Sequence, residues 1–168
     1  MDQIGIWIGV ALGIGPVVGI PFHGALSDKL FRRGQHDAHL RYLKLMLILA
    51  TIPGAAMYLI SSPWISLALL CISQTMVAAY IGIFPTTVQL VVPPQFRGMG
   101  GSIALLVAGL GGLAVGPSLV SLLTDLIFHD QNKIGLSLAI CVGVLQPLAA
   151  LSLALAQRPM SQRLTRAN

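Results

Sequence analysis

Charged side chains along this chain are confined to a few short segments, and the stretches between them are apolar. The stretches without Asp, Glu, Lys or Arg are 3–27, 45–96, 98–124 and 134–157. The second is too long for one helix and is interrupted at Ser61-Ser62-Pro63. A helix needs about 20 apolar residues to cross a hydrocarbon core of about 30 Å. The pattern therefore predicts five spans, at 4–27, 40–61, 64–92, 99–127 and 134–156.

Composition supports a membrane protein over a soluble one. Hydrophobic residues make up 55% of the chain, charged residues only 9%, and Glu is absent. Soluble domains contain about 25% charged residues, and their helices need a polar face toward water. Backbone groups in lipid must be hydrogen-bonded within their own segment, which favours helices. We therefore expect an all-α, polytopic membrane bundle of five transmembrane helices that forms one domain over residues 1–168.

The distribution of Lys and Arg predicts the orientation. Alternate connections place nine basic residues on one face, and only Lys133 on the other. Because Lys and Arg mark the cytoplasmic side, the N-terminus is expected outside and the tail, 157–168, in the cytoplasm. We expect the protein to lie in a bacterial inner membrane. This explains the net charge of +5 without nucleic-acid binding, which we do not expect.

Glycines at helical spacing indicate close helix packing. Gly9 and Gly13 form a G-x-x-x-G pair in the first span, as do Gly112 and Gly116 in the fourth. In lipid, helices associate by close backbone approach, so both spans are predicted to be central and packed. The pair Gly15/Gly19 has the same spacing. The alternative is that Gly is simply frequent in membrane helices.

Polar residues inside the spans are candidates for a substrate cavity, because a polar side chain in lipid needs a partner. Gln74, in the middle of its span, is the first candidate, followed by Gln146 and Thr86. Hydrogen bonds between helices are an equally good explanation for any one of them. His23, close to the end of its span, is expected to face solvent or lipid headgroups.

Nothing in the sequence indicates an enzyme. No Ser or Cys has a base at a suitable spacing, and no metal-ligand pair occurs within the spans. Cys71 and Cys141 are interpreted as small packing residues. We therefore expect no catalytic residue, no cofactor and no metal site.

The charged segment between the first two spans is predicted to be a loop at the bilayer surface. It resembles a signature of the major facilitator superfamily, G-x-L-x-D-R/K-x-G-R-R. Phe31 departs from it, because the family usually has Gly there. In the family this cluster acts as a cytoplasmic latch that holds one conformation of the two halves. The alternative is a solvated loop that only sets topology. The matching residues are Gly24, Leu26, Asp28, Lys29, Arg32 and Arg33.

The resemblance extends over essentially the whole chain. The segment from Phe84-Pro85-Thr86 through Val92-Pro93-Pro94 is similar to the spinster-like branch and, less specifically, to organic-anion porters. The five spans would be helices eight to twelve of a twelve-helix transporter, that is, most of its C-terminal six-helix half. Any residue that couples transport to protons would then lie in the other half.

The resemblance implies that the chain is the C-terminal part of a secondary transporter that moves a small organic solute by alternating access. Its partners would be the solute, the lipid bilayer, and the missing N-terminal helices or another membrane chain. The alternative is a truncated, non-transporting membrane protein, or a partner subunit that needs another chain.

Overall fold

The computed structural model describes residues 2–32, 38–130 and 133–166, and these residues contain helices and turns but no strand. Turns and short 3₁₀ or π segments join or interrupt the helices. The α-helices are α1 (Asp2–Arg32), α2 (Ala38–Ala56), α3 (Pro63–Val91), α4 (Arg97–Gly109), α5 (Gly116–Leu122) and α6 (Ile134–Arg166).

Four helical segments are long and apolar enough to cross a membrane, which confirms the prediction of an all-α membrane bundle. One of them, Pro94–Phe128, combines α4 and α5 and is called the fourth span below. The four segments are Gly5–Arg32, Pro63–Gln89, Pro94–Phe128 and Ile134–Leu155. The chain is therefore an integral membrane protein.

Helix α2 is the exception among the five predicted spans. It ends at Ala56, short of the predicted residue 61, and a turn follows it. Arg41 and Lys44 lie close to its start, which lowers its apolar character. Its 19 residues still extend about 28 Å, close to the thickness of a hydrocarbon core.

Helix α1 continues through the charged segment that the sequence analysis placed in a surface loop. It ends at Arg32, so Asp28, Lys29 and Arg32 lie on the helix. Leu, Lys and Arg favour helix, and no Gly or Pro interrupts residues 25–32. The loop prediction for this part is wrong, and the latch residues are carried by a helical turn.

Helices α1 and α3 run parallel and in close contact. The rings of Trp7 and Trp64, near the start of each helix, lie 6.1 Å apart edge to face. Further along, a Cβ added at Gly19 would lie 2.8 Å from the Cβ of Ala78. A side chain at Gly19 would therefore separate the helices, as expected for small residues at a membrane-helix interface.

Helix α2 packs antiparallel to both α3 and α6 and forms the centre of the bundle. A Cβ at Gly54 would lie 3.0 Å from the Ser73 hydroxyl of α3 and 3.1 Å from a Val142 methyl of α6. Two buried side chains, Leu43 and Ile83, belong to the core between α2 and α3. The core therefore lies where α2 meets its two neighbours.

The fourth span lies largely outside this core, and its apolar side chains are exposed; Leu113 is 84% exposed. Two π-helical turns, Leu110–Val115 and Leu123–Phe128, interrupt it, and His129 ends it with a left-handed backbone (φ 49°). The prediction that this span is central is wrong for contacts within the chain. The described residues include no helix that covers its glycine face.

The glycine pairs of the two spans differ in their contacts with other helices. A Cβ at Gly9, Gly13, Gly112 or Gly116 would have nothing within 4 Å, so these four contact no other helix of the described residues, and close packing at them stays a prediction. The closely packed pair is Gly15/Gly19, where a Cβ would approach Gln74 and Thr75 to about 3 Å. Spacing alone does not show which side of an all-apolar helix meets a neighbour.

Candidate functional site

A buried histidine joins three helices. His23 of α1 is only 5% exposed. Its Nδ1 lies 2.6 Å from the Tyr42 hydroxyl oxygen of α2, and its Nε2 lies 2.9 Å from the Thr75 carbonyl oxygen of α3. The expectation that His23 faces solvent or headgroups is wrong, because its partners come from two other helices.

The partners of His23 determine where its hydrogen lies. A carbonyl oxygen can only accept, so Nε2 must carry the hydrogen that is donated to Thr75. In the neutral ring, Nδ1 then accepts a hydrogen bond from the Tyr42 hydroxyl. Both ring nitrogens are satisfied, which makes this residue a polar connection between α1, α2 and α3. The one sequence signal for this connection was an ionisable side chain within an apolar span.

The predicted latch residues of known placement lie at the C-terminal end of α1. Asp28 is well exposed, and its Oδ1 lies 3.5 Å from Nε2 of the buried His39 of α2. Phe31, which stands at the Gly position of the signature, contacts the His39 ring edge to face, with ring centroids 4.9 Å apart. Phe31 therefore has a packing role in this chain. The same buried His39 also contacts the Asp28 carboxylate of the predicted latch.

Two of the three basic residues of the predicted latch, Lys29 and Arg32, lie within the described part of the chain. Lys29 and Arg32 line a surface recess of about 480 Å³ together with Asp28. Gly24 lies one turn earlier, and a Cβ there would meet nothing within 4 Å. Arg33, the last predicted latch residue, lies outside the described residues. The recess presents both charge signs at the end of α1.

The three predicted cavity residues lie at separate places. Gln74 lies against Gly15 at the contact between α1 and α3, which favours the alternative of an interhelical role. Thr86 is exposed on α3, and its hydroxyl donates to the Gly82 carbonyl of its own helix over 3.5 Å. Only Gln146 lines a large cleft.

That cleft separates the fourth span from α6. It has a volume of about 900 Å³. Near one end, the buried hydroxyls of Thr124 and Ser137 form a hydrogen bond of 2.8 Å across the two segments. The lining residues are Gly112, Gly116, Pro117, Val120, Ser121, Thr124, Asp125, Ile134, Leu138, Cys141, Val142, Leu145 and Gln146.

Asp125 is the charged group of this cleft, and sequence analysis did not single it out. Its Oδ2 accepts a hydrogen bond of 3.2 Å from the Ser121 hydroxyl one turn earlier. The lining contains no Lys, Arg or His, and no described basic side chain forms an ion pair with it. The cleft therefore carries a negative charge among mostly apolar walls.

The described residues contain no group of three or more His, Cys, Asp or Glu side chains that could hold a metal ion. Comparison with known proteins found no matching family model, no similar curated protein and no similar solved structure. The geometry above therefore carries the functional argument.

Proposed function

We propose that this chain forms part of a secondary transporter of the major facilitator type and moves a small organic solute by alternating access. The observation that carries the proposal is the charged cluster at the end of α1. Asp28, Lys29 and Arg32 lie on one helical end beside a recess, in the order of the family's latch signature. A carboxylate and two cations there can bind helix ends and acidic partners of a facing bundle.

The exposed glycine faces support the same proposal. Gly9 and Gly13 on α1, and Gly112 and Gly116 on the fourth span, offer backbone surfaces that no described helix covers. In a transporter of this type, a second bundle faces the first around a binding site near the middle of the membrane. The first seven helices of such a transporter, or another membrane chain, would supply that bundle.

The same faces also favour a second candidate, a partner subunit that does not itself transport. Both functions need another set of helices, but only transport needs the latch to open and close. Substitution of a residue of the predicted latch therefore distinguishes transport from the partner-subunit function. We expect the N-terminus outside and the tail in the cytoplasm of a bacterial inner membrane in either case.

The test compares small-molecule accumulation in native cells that lack the chain and in cells complemented with wild-type protein, Asp28→Asn or Asp130→Asn. Asp130 lies near the other end of the bundle, so its substitution is the matched control for charge. We expect the accumulation of at least one organic solute to be restored by the wild type and by Asp130→Asn, but not by Asp28→Asn. If membrane levels are equal and no solute changes in any strain, transport is refuted and the partner-subunit function remains.

A further inference from the structure

The strongest unassigned feature is the carboxylate in the cleft between the fourth span and α6. We propose that this cleft binds an elongated, amphipathic organic cation, with Asp125 as the counter-ion of its ammonium group. As an assignment of the transported solute, this inference rests on the proposed function; as a binding site, it stands on the cleft itself.

A carboxylate exposed to a largely apolar cleft attracts a cation, because no basic side chain of the lining compensates its charge. Asp125 lies within the segment Pro94–Phe128. Its described partner, the Ser121 hydroxyl, is a neutral donor and leaves the charge uncompensated. Since the cleft lining has no basic residue, a ligand with a positively charged group would compensate this charge.

The shape of the cleft defines the rest of the ligand. The fourth span and α6 run antiparallel, so Asp125 lies near Ile134 at one end and Gln146 lies near Gly112 at the other. The 12 residue steps from 134 to 146 correspond to about 18 Å along a helix. Val120, Leu138 and Val142 line the wall between these ends. An apolar body of that length would fit between them.

Gln146 supplies a second polar contact at the far end. Its side-chain Oε1 is buried and has no hydrogen-bond partner among the described residues. A buried acceptor without a donor costs about 1–3 kcal/mol. If the Gln146 amide turned toward the cleft, which this residue lines, a ligand donor opposite the ammonium group would satisfy this atom. A volume of about 900 Å³ lies within the range of small-molecule sites, which are mostly apolar with a few polar groups.

Two sources could supply such a ligand. One is a soluble amine with an apolar body, as the transport proposal requires. The other is a lipid with an ammonium headgroup, such as phosphatidylethanolamine, because the cleft lies between two segments long and apolar enough to cross the bilayer. Both share an ammonium group on an apolar body, and the experiment below distinguishes them.

The test uses the full chain in nanodiscs of phosphatidylglycerol, which has no amine, with empty nanodiscs as background. The probe is dansylcadaverine, a fluorescent primary amine, and its N-acetylated form is the neutral control. We expect the wild type and Asp130→Asn to bind the amine equally. Asp125→Asn, a substitution at an exposed position, should weaken binding about tenfold or more, as the loss of a charge-assisted contact implies.

The inference is overturned if the acetylated probe binds as tightly as the amine, or if Asp125→Asn binds like the wild type. Adding phosphatidylethanolamine to the nanodiscs identifies the source. Displacement of the probe assigns the cleft to a lipid headgroup, and retention assigns it to a soluble amine; both outcomes support the ammonium site. Binding without uptake into vesicles would refute transport alone, whereas uptake without Asp125-dependent binding would refute this site alone.

Discussion

Nδ1 of His23 lies 2.6 Å from the hydroxyl oxygen of Tyr42, and this contact connects α1 to α2 in the interior of the bundle. The other ring nitrogen connects α1 to the backbone of α3 at Thr75. One side chain therefore fixes the relative positions of three helices. Within lipid, such hydrogen bonds act together with close packing, because the hydrophobic effect between helices is weak.

Replacement of Tyr42 by Phe should destabilise the bundle by about 1 kcal/mol, because it leaves Nδ1 of His23 buried without a donor. The measurement is reversible unfolding of the full chain in mixed detergent micelles. Tyr80→Phe is the matched control, since Tyr80 stacks on Phe84 through its ring and that stacking is kept. Equal unfolding free energies for the two variants would contradict the role given to the His23–Tyr42 contact.

Substitution of single glycines should distinguish the face of α1 that packs against α3 from the face that has open space. Gly19→Val should destabilise by about 1–3 kcal/mol through overpacking, because even a Cβ there would lie 2.7 Å from the Thr75 carbonyl oxygen. Gly9→Val, at a position with open space, should change stability by less than about 0.5 kcal/mol. Both are measured by the same unfolding assay on the isolated chain. A larger effect at Gly9 would mean that α1 packs through the opposite face.

These glycines also show where prediction from sequence ends. Charge-free stretches located the helices, because crossing a membrane demands length and apolarity, although α6 continues past its predicted end at residue 156 to Arg166. They did not indicate which face packs, since lipid-facing and buried positions are both apolar. Gly9/Gly13 and Gly15/Gly19 have identical spacing, yet only the second pair meets another helix.

The candidate site was predictable only in part, for a related reason. The charged cluster at 28–32 was found because its pattern is local. The contacts of His23 join residues 19 and 52 positions apart, and no local pattern encodes such a pairing. Asp125 was visible as a charge near a span end, but the cleft beside it depends on how the fourth span lies against α6.

The latch should matter for function more than for stability. Asp28 is 61% exposed, so its contact with His39 contributes little, and Asp28→Asn should cost less than about 1 kcal/mol. If the chain belongs to the proposed transporter, loss of a charge-assisted contact in one conformation should lower the rate of solute uptake about tenfold. Unfolding of the chain and vesicle uptake measure the two effects. Loss of stability in proportion to uptake would indicate a structural role instead.

The topology can be tested by thiol labelling, with Cys71 and Cys141 first replaced by Ser. Ser61→Cys and His129→Cys should react with an impermeant maleimide added outside, because both follow helices that run toward that face. Gln95→Cys should react only from the cytoplasmic side. Arg32→Cys, at the end of α1 and before α2, should likewise react only from the cytoplasmic side. Comparison of Arg32→Cys with Ser61→Cys tests directly whether α2, with Arg41 and Lys44 near its start, crosses the membrane. Labelling of Arg32→Cys and Ser61→Cys from the same side would contradict it.

Further transmembrane helices are expected to cover the exposed glycine faces of α1 and the fourth span. The most direct measurement is the mass of the complete particle extracted from native membranes, detected with an antibody against residues 158–168. We predict a protein mass at least twice the 17.7 kDa of this chain, whether the additional helices belong to a longer polypeptide or to another chain. A particle with the mass of a single 17.7 kDa chain would contradict the claim.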